Sequence, residues 1–301
     1  MNLSDIQSYL NIPITNEYDE FTTAAIRNFE IKNGIFPTGQ INDEIIKTID
    51  KLNDGLLDTD IKSVPTIKQY RLKPDEYFVT NERKRSIFLH HTAGWHNPYN
   101  VVNDWERDQR GKIGTAYLIG GVNPVNLDRK FDGEILECMP PKQSYAWHLG
   151  IGNNAVHRTS VGIELCHFGW VTKDSKGGFR TYTTPSNPNG TLVNSENVIK
   201  LSKPFRGYEY WIKYSDSQLK SMKFLIKTIG KETGIDITLG LQKRIKNFKD
   251  VWMAFDYDAN IVRSADGLFT HTNVSPKNKW GNFEKWDLFP QDELIDLIKS
   301  L

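Results

Sequence analysis

Cysteine is nearly absent from this 301-residue chain: Cys138 and Cys166 are the only two. They form no Cys-x-x-Cys pair, so a disulfide framework is excluded and a reducing compartment during synthesis is the simplest reading. Neither sign of charge dominates. The 38 Lys and Arg against 37 Asp and Glu leave a net charge of +1, which gives no case for nucleic acid or an anionic membrane as partner. No apolar run approaches the roughly 18 residues of a membrane span, so no membrane insertion is expected. The start, Met1 to Gln7, lacks a basic n-region and an apolar h-region, so no signal peptide is expected. Repeats and low-complexity tracts are also missing. Aromatic residues, by contrast, reach 12% and include eight Trp. That suits a large core or a carbohydrate-facing groove, and core packing accounts for most of them.

The length allows one large domain plus a small one. Residues 1–52 read as a helical module. Leu3 to Leu10 forms a first helix, and Phe21 to Asn33 a second with Ala25, Ile26 and Phe29 on one side and Gly34 as its stop. Asn42 caps a third helix that carries Ile45, Ile46 and Ile49. Residues 53–80 mix polar residues with Pro65 and Pro74 and read as a linker. The large domain occupies 81–301. Its expected strands are Ile87 to Leu89, Gly114 to Gly121, Gly133 to Met139, Ser160 to Cys166 and Gly267 to His271. Its expected helices are Pro98 to Arg110, Ser215 to Gly230 with Ser215 and Gln218 in capping-box spacing, and Gln291 to Leu301. Residues 168–207 form a polar insertion in which Thr181 to Thr184 and Thr191 to Val193 pair as a surface hairpin. The stretch from Leu241 to Ala254 has no clear pattern.

Chemistry concentrates at the ends of these strands. Ser86 to Leu89 ends in His90-His91, and strand alternation forbids both rings from facing one site. Glu164 sits inside an apolar strand, His271 ends another, and Lys285-Trp286-Asp287 precedes the last helix. Two His and one carboxylate with an open fourth position is a common catalytic zinc arrangement. A buried carboxylate beside it moves a proton, and a nearby Lys stabilises an oxyanion, which together describe amide hydrolysis. Taken singly, these residues serve equally well as a packed strand-end His, a salt-bridged Glu164 and a capping Asp287.

The ordered stretches His90-His-Thr-Ala-Gly94, Ile113 to Gly121, Ala146-Trp-His-Leu-Gly150, Ser160-Val-Gly-Ile-Glu-Leu165 and Thr270-His-Thr-Asn-Val-Ser-Pro276 resemble the zinc-dependent N-acetylmuramoyl-L-alanine amidase type 2 family. That family shares its fold with peptidoglycan-recognition proteins. The resemblance covers about residues 80–300 and implies an α/β fold, a central mixed β-sheet flanked by helices. It implies Zn²⁺ held by His91, His271 and Asp287, with Glu164 and Lys285 catalytic, His148 on the substrate groove, and His90 turned away or supporting the site. The family often places Lys-x-Asp closer to the Val-Ser-Pro turn. Here that slot holds Lys279-Trp-Gly281, and Lys285-Trp-Asp287 restores the pattern six residues on. The segments Asp5 to Leu10, Thr23 to Phe29 and Asn33 to Gly39 resemble peptidoglycan-binding domain type 1, with Glu30 where Gln is usual.

The implied protein is a monomeric, endolysin-like hydrolase of bacterial peptidoglycan that cuts the amide between N-acetylmuramic acid and L-alanine. It would stay in the host cytoplasm until lysis and then reach the cell wall. The alternative is a non-catalytic peptidoglycan-binding or virion structural protein on the same fold.

Overall fold

A computed structural model describes all residues except 1, 2, 11, 13, 34, 36 and 55–64. The expected helix stop at Gly34 and most of the first half of the expected linker lie outside the described residues. The chain divides into two compact units, Met1–Ser63 and Val64–Leu301.

The first unit holds α1 (Leu3–Tyr9), α2 (Glu20–Lys32) and α3 (Asp43–Asp54). Ile6, Ile26, Ile35, Ile45 and Ile49 form its core. Two buried polar side chains tie its loops. Gln7 binds Thr15 and Thr22, and Glu30 accepts from the Thr38 hydroxyl and the Gly39 amide. Gly39 takes φ +71°, and an added Cβ would lie 2.8 Å from Thr23, so the Pro37-Thr-Gly39 turn requires Gly.

In the second unit the strands run, in chain order, β1 (Ile67–Gln69), β2 (Phe78–Val79), β3 (Ser86–His91), β4 (Tyr117–Ile119), β5 (Ile135–Glu137), β6 (Ser144–Tyr145), β7 (Ser160–Leu165), β8 (Trp170–Lys173), β9 (Phe179–Arg180), β10 (Leu192–Val193), β11 (Val198–Phe205), β12 (Tyr208–Ile212) and β13 (Gly267–Thr270). The helices are α4 (Pro98–Trp105), α5 (Asn154–Thr159), α6 (Asp216–Thr233), α7 (Leu241–Asn247), α8 (Ala259–Arg263) and α9 (Asp292–Lys299). The central sheet has the order β1-β5-β4-β7-β3-β13, parallel except for the antiparallel β4–β5 pair. This is the expected mixed α/β sheet flanked by helices.

Alternation along the strands divides the core. Ile87 and Leu89 of β3 and Val161, Ile163 and Leu165 of β7 join the large core with Leu219, Met222 and Leu225 of α6. Phe88 of β3 and Phe269 of β13 point the other way, into a smaller core with Leu149 and Val156. Helix α6 begins with the expected capping box at Ser215 and Gln218 and ends at Gly234 in the left-handed region. Among the described residues no helix is long and apolar enough to cross a membrane.

Two expectations change. The polar insertion is a second, five-stranded sheet of order β10-β9-β8-β12-β11. Its hairpin pairs Phe179–Arg180 with Leu192–Val193, two residues earlier on the first arm than expected. Its strands alternate aromatic with charged residues, as in Tyr208-Glu-Tyr210, and pack over a small apolar cluster of Phe168, Val171, Val193 and Ile212. The unpatterned stretch after Gly240 is α7 followed by a 3₁₀ turn over Val251–Phe255.

Candidate metal centre

In-register parallel strands present paired residues to the same face. His90 pairs with Glu164, and Thr270 of β13 pairs with Leu89. His271, the next residue, therefore arrives beside His90 on the smaller-core face. The segment ending at Asp287 closes the cluster. The ligand atoms of His90, His271 and Asp287, all buried, lie within 4.8 Å of one another.

The hydrogen bonds around them orient the rings. His271 Nε2 donates to the Leu149 carbonyl at 3.0 Å, and its Nδ1 lies 2.9 Å from Asp287 Oδ2. The Ser160 hydroxyl donates to the His157 carbonyl and so accepts from His148 Nε2 at 2.9 Å. His148 Nδ1 then accepts from His90 Nε2 at 3.0 Å. That leaves the His90 Nδ1 lone pair directed at Asp287 Oδ2, 3.5 Å away. His90 Nδ1, His271 Nδ1 and Asp287 Oδ2 thus converge on one point, where a metal cation or a proton on an imidazole nitrogen sits between them. Two imidazole nitrogens and a carboxylate suit zinc, with outer partners already fixing both rings. On the observed donor set, the residues fit the metal that the resemblance implies.

The electrostatics agree. Burial lowers His90 to about 4, against the pull of Asp287, so the ring is neutral at neutral pH. Burial alone would raise the Asp287 carboxyl. The charge and hydrogen bond of His271 overcome this and hold it well below the usual carboxylate range. Glu164 goes the other way, to about 8, because burial and then the Asp287 charge disfavour its anion more than Lys285 and Thr115 favour it.

A cavity of about 430 Å³ opens over these groups. Lys285 and Glu164 line it, with Trp105, Trp147, Trp170 and Trp286 as walls.

Of the expected ligands, the structure brings together His271 and Asp287 and places the third, His91, apart from them, with His90 in the group instead. His91 lies on the opposite face of β3. Its Nδ1 is 2.9 Å from the Tyr214 hydroxyl, which accepts from the Phe289 amide and so donates to the ring. The ring lies tilted against His167 and edge-on to Trp211. His91 reaches the cavity edge but offers no lone pair to the cluster, and His90 takes its place. His148 lines the cavity as expected, but both its ring nitrogens bond within the protein, so it braces His90 instead of offering a polar atom to substrate. The place of His90 has a signal in the sequence: with Ile87 and Leu89 as core residues, strand parity puts His90 on the other face of β3.

Gly162, two residues before Glu164 on β7, makes room for this brace. A Cβ there would lie 2.7 Å from Thr115 Cγ2 and 3.1 Å from His148 Nδ1. Gly162→Ala is expected to destabilise the protein by about 1–3 kcal/mol, the usual penalty of overpacking, as measured by urea unfolding. It is also expected to weaken metal binding by displacing His148.

No protein-family model and no curated protein sequence matches the chain. Several solved structures are similar in part. The hydrolase AmiA of Staphylococcus aureus, in complex with its ligand, is 14% identical with a TM-score of 0.40, covering 87% of this chain and 91% of its own. The N-acetylmuramyl-L-alanine amidase AmiD of E. coli is 18% identical with a TM-score of 0.32, covering 62% and 60%. Drosophila peptidoglycan recognition protein SD is 16% identical with a TM-score of 0.28, covering 56% and 76%. At these scores the likeness carries no functional weight.

Proposed function

We propose that the protein is a zinc-dependent peptidoglycan amidase that cleaves the bond between N-acetylmuramic acid and L-alanine. The observation that carries this reading is the convergence of His90 Nδ1, His271 Nδ1 and Asp287 Oδ2 beside a carboxyl whose proton is held to about pH 8. The choice of peptidoglycan follows from the ordered motifs of the sequence. His90, His271 and Asp287 would hold zinc, which when bound supplies Lewis acidity toward water and the amide carbonyl.

The chain's own groups do the rest. Glu164 takes the proton from the attacking water at its carboxylate oxygen and returns it to the leaving amine nitrogen. Its raised pKa suits both halves of that transfer near neutral pH. The Lys285 ammonium, at the cavity wall, faces the developing oxyanion. The four Trp side chains exclude bulk water and so strengthen both interactions. The helical unit, residues 1–52 in the domain division we propose, anchors the enzyme on the wall and raises the local substrate concentration. A protein of this kind would be stored in the host cytoplasm and reach the wall on lysis.

The test is digestion of purified walls by zinc-loaded protein, with products identified by mass spectrometry. Free L-alanine amino termini and intact glycan strands are expected. Cleavage within the stem peptide would replace the assigned bond, and wall binding without products would make the protein a recognition module.

A further inference from the structure

The second sheet sends one side chain into the neighbourhood of the metal centre. Strands β11 and β12 are joined by a two-residue turn, Arg206-Gly207, with φ of +49° and +96°. Both residues are left-handed, as in the tightest hairpin turns, where Asn-Gly is the favoured pair. An Arg at the first position is a strained choice, because its Cβ opposes that backbone conformation. A hairpin tip is also an unusual place for a buried side chain, yet Arg206 is only 7% exposed.

Its guanidinium explains the choice. Nη1 donates to the Lys285 carbonyl at 2.6 Å, and Nη2 donates to the carbonyls of Thr272 at 2.8 Å and Ser275 at 3.4 Å. The plane lies 4.5 Å from the Phe283 ring centre. Among the described residues no carboxylate forms an ion pair with Arg206. Burial pushes the group down to about 10, with Asp256 and Asp287 pulling the other way. Burying a guanidinium against carbonyls alone is expensive. What it achieves is a bridge between the segment just after His271 and the segment just before Asp287, and between them runs the largely exposed stretch 277–286.

We infer that Arg206 is a positioning residue: it clamps the 277–286 segment to the turn after His271, so that Asp287 and Lys285 stay in place beside the two histidines. The added sheet thereby becomes part of the metal centre's support. The inference rests on the proposed metal site for one of its two readouts.

The experiment compares wild type with Arg206→Met, which keeps most of the volume but no donor, and Arg206→Lys, which keeps the charge with a single donor group. Lys203→Ala, on the same hairpin and exposed, is the control. Hydrogen exchange of the 277–286 amides is followed in metal-free protein, and the zinc dissociation constant is measured by competition with a chelating dye. Arg206→Met is expected to raise exchange selectively in 277–286 and to weaken zinc by roughly 10–100-fold, as loss of outer support does at metal sites. Arg206→Lys should fall between, and Lys203→Ala should match wild type. If Arg206→Met leaves both readouts at wild-type values, the clamp is disproved and Arg206 serves only its hairpin. If Arg206→Met does not fold, wild-type exchange and zinc affinity in Arg206→Lys overturn the inference equally. A wild type that binds no zinc would defeat the metal reading, while the exchange data would still decide the clamp.

Discussion

Asp287→Ala is expected to leave the protein folded but unable to retain zinc, and to abolish wall hydrolysis. Asp287 is the one anion among the three converging donors, and its Oδ2 faces both imidazole Nδ1 atoms. Removing it takes away the charge that makes the site attractive to a dication and leaves two imidazole donors. The loss of affinity should exceed the roughly 10–100-fold typical of removing an outer partner. Dialysis against a weak chelator followed by metal analysis reads it directly. The metal-free variant should not lose stability in proportion, because the carboxylate is itself buried at the expense of its hydration. Zinc and lysis retained in Asp287→Ala would show that the Lys285-Trp-Asp287 motif has been misassigned.

Glu164→Gln should have the opposite profile. Zinc stays, while kcat falls by about 10²–10⁴, the range that a positioned acid–base group contributes. KM should change little, since the amide keeps the shape of the carboxyl. The pH dependence gives a second readout in metal-free protein. The native state holds the Glu164 proton up to about 8, whereas the ordinary value is 4.5. The native state therefore binds more protons than the unfolded chain across that window, and stability falls as pH rises through it. Glu164→Gln removes this decline. His90 and His91 act with the reverse sign. Both are lowered by burial to about 4, so their contribution is lost as pH falls from 6.5 through 4, and Glu164→Gln should leave that acid limb untouched. An unchanged kcat in Glu164→Gln would remove the acid–base role.

The sequence carried the architecture of the central sheet well, because its strands are short apolar runs with polar ends. It offered Glu164, His271, Lys285 and Asp287 as candidates, but from spacing alone these serve equally well as structural residues, and the ordered motifs that resemble the amidase family give them their weight. It did not distinguish His90 from His91: the resemblance points to His91, whereas the structure groups His90 with His271 and Asp287. Two adjacent histidines differ only in strand parity, and parity is decided by which neighbours pack where. The structure resolves it through Leu89 and His91 facing the Tyr214 side, and Phe88 and His90 facing Phe269 and His148. The second sheet was illegible for another reason. Its strands, such as Val198–Phe205, alternate imperfectly and carry Lys200, Lys203 and Pro204, so composition alone reads as loop. Arg206 could not have been found without that sheet, since nothing local at a hairpin tip signals three carbonyls waiting 66 to 79 residues downstream.

In the proposed metal centre the ligand from β3 is His90, not His91. Zinc stoichiometry of wild type, His90→Ala and His91→Ala, measured on the same dialysed preparations, tests it most directly. One zinc per chain in wild type and in His91→Ala, and none in His90→Ala, is the predicted result. His91→Ala should instead lose about 1–3 kcal/mol of stability, because the buried Tyr214 hydroxyl loses its acceptor. Zinc lost from His91→Ala and kept by His90→Ala would contradict the account.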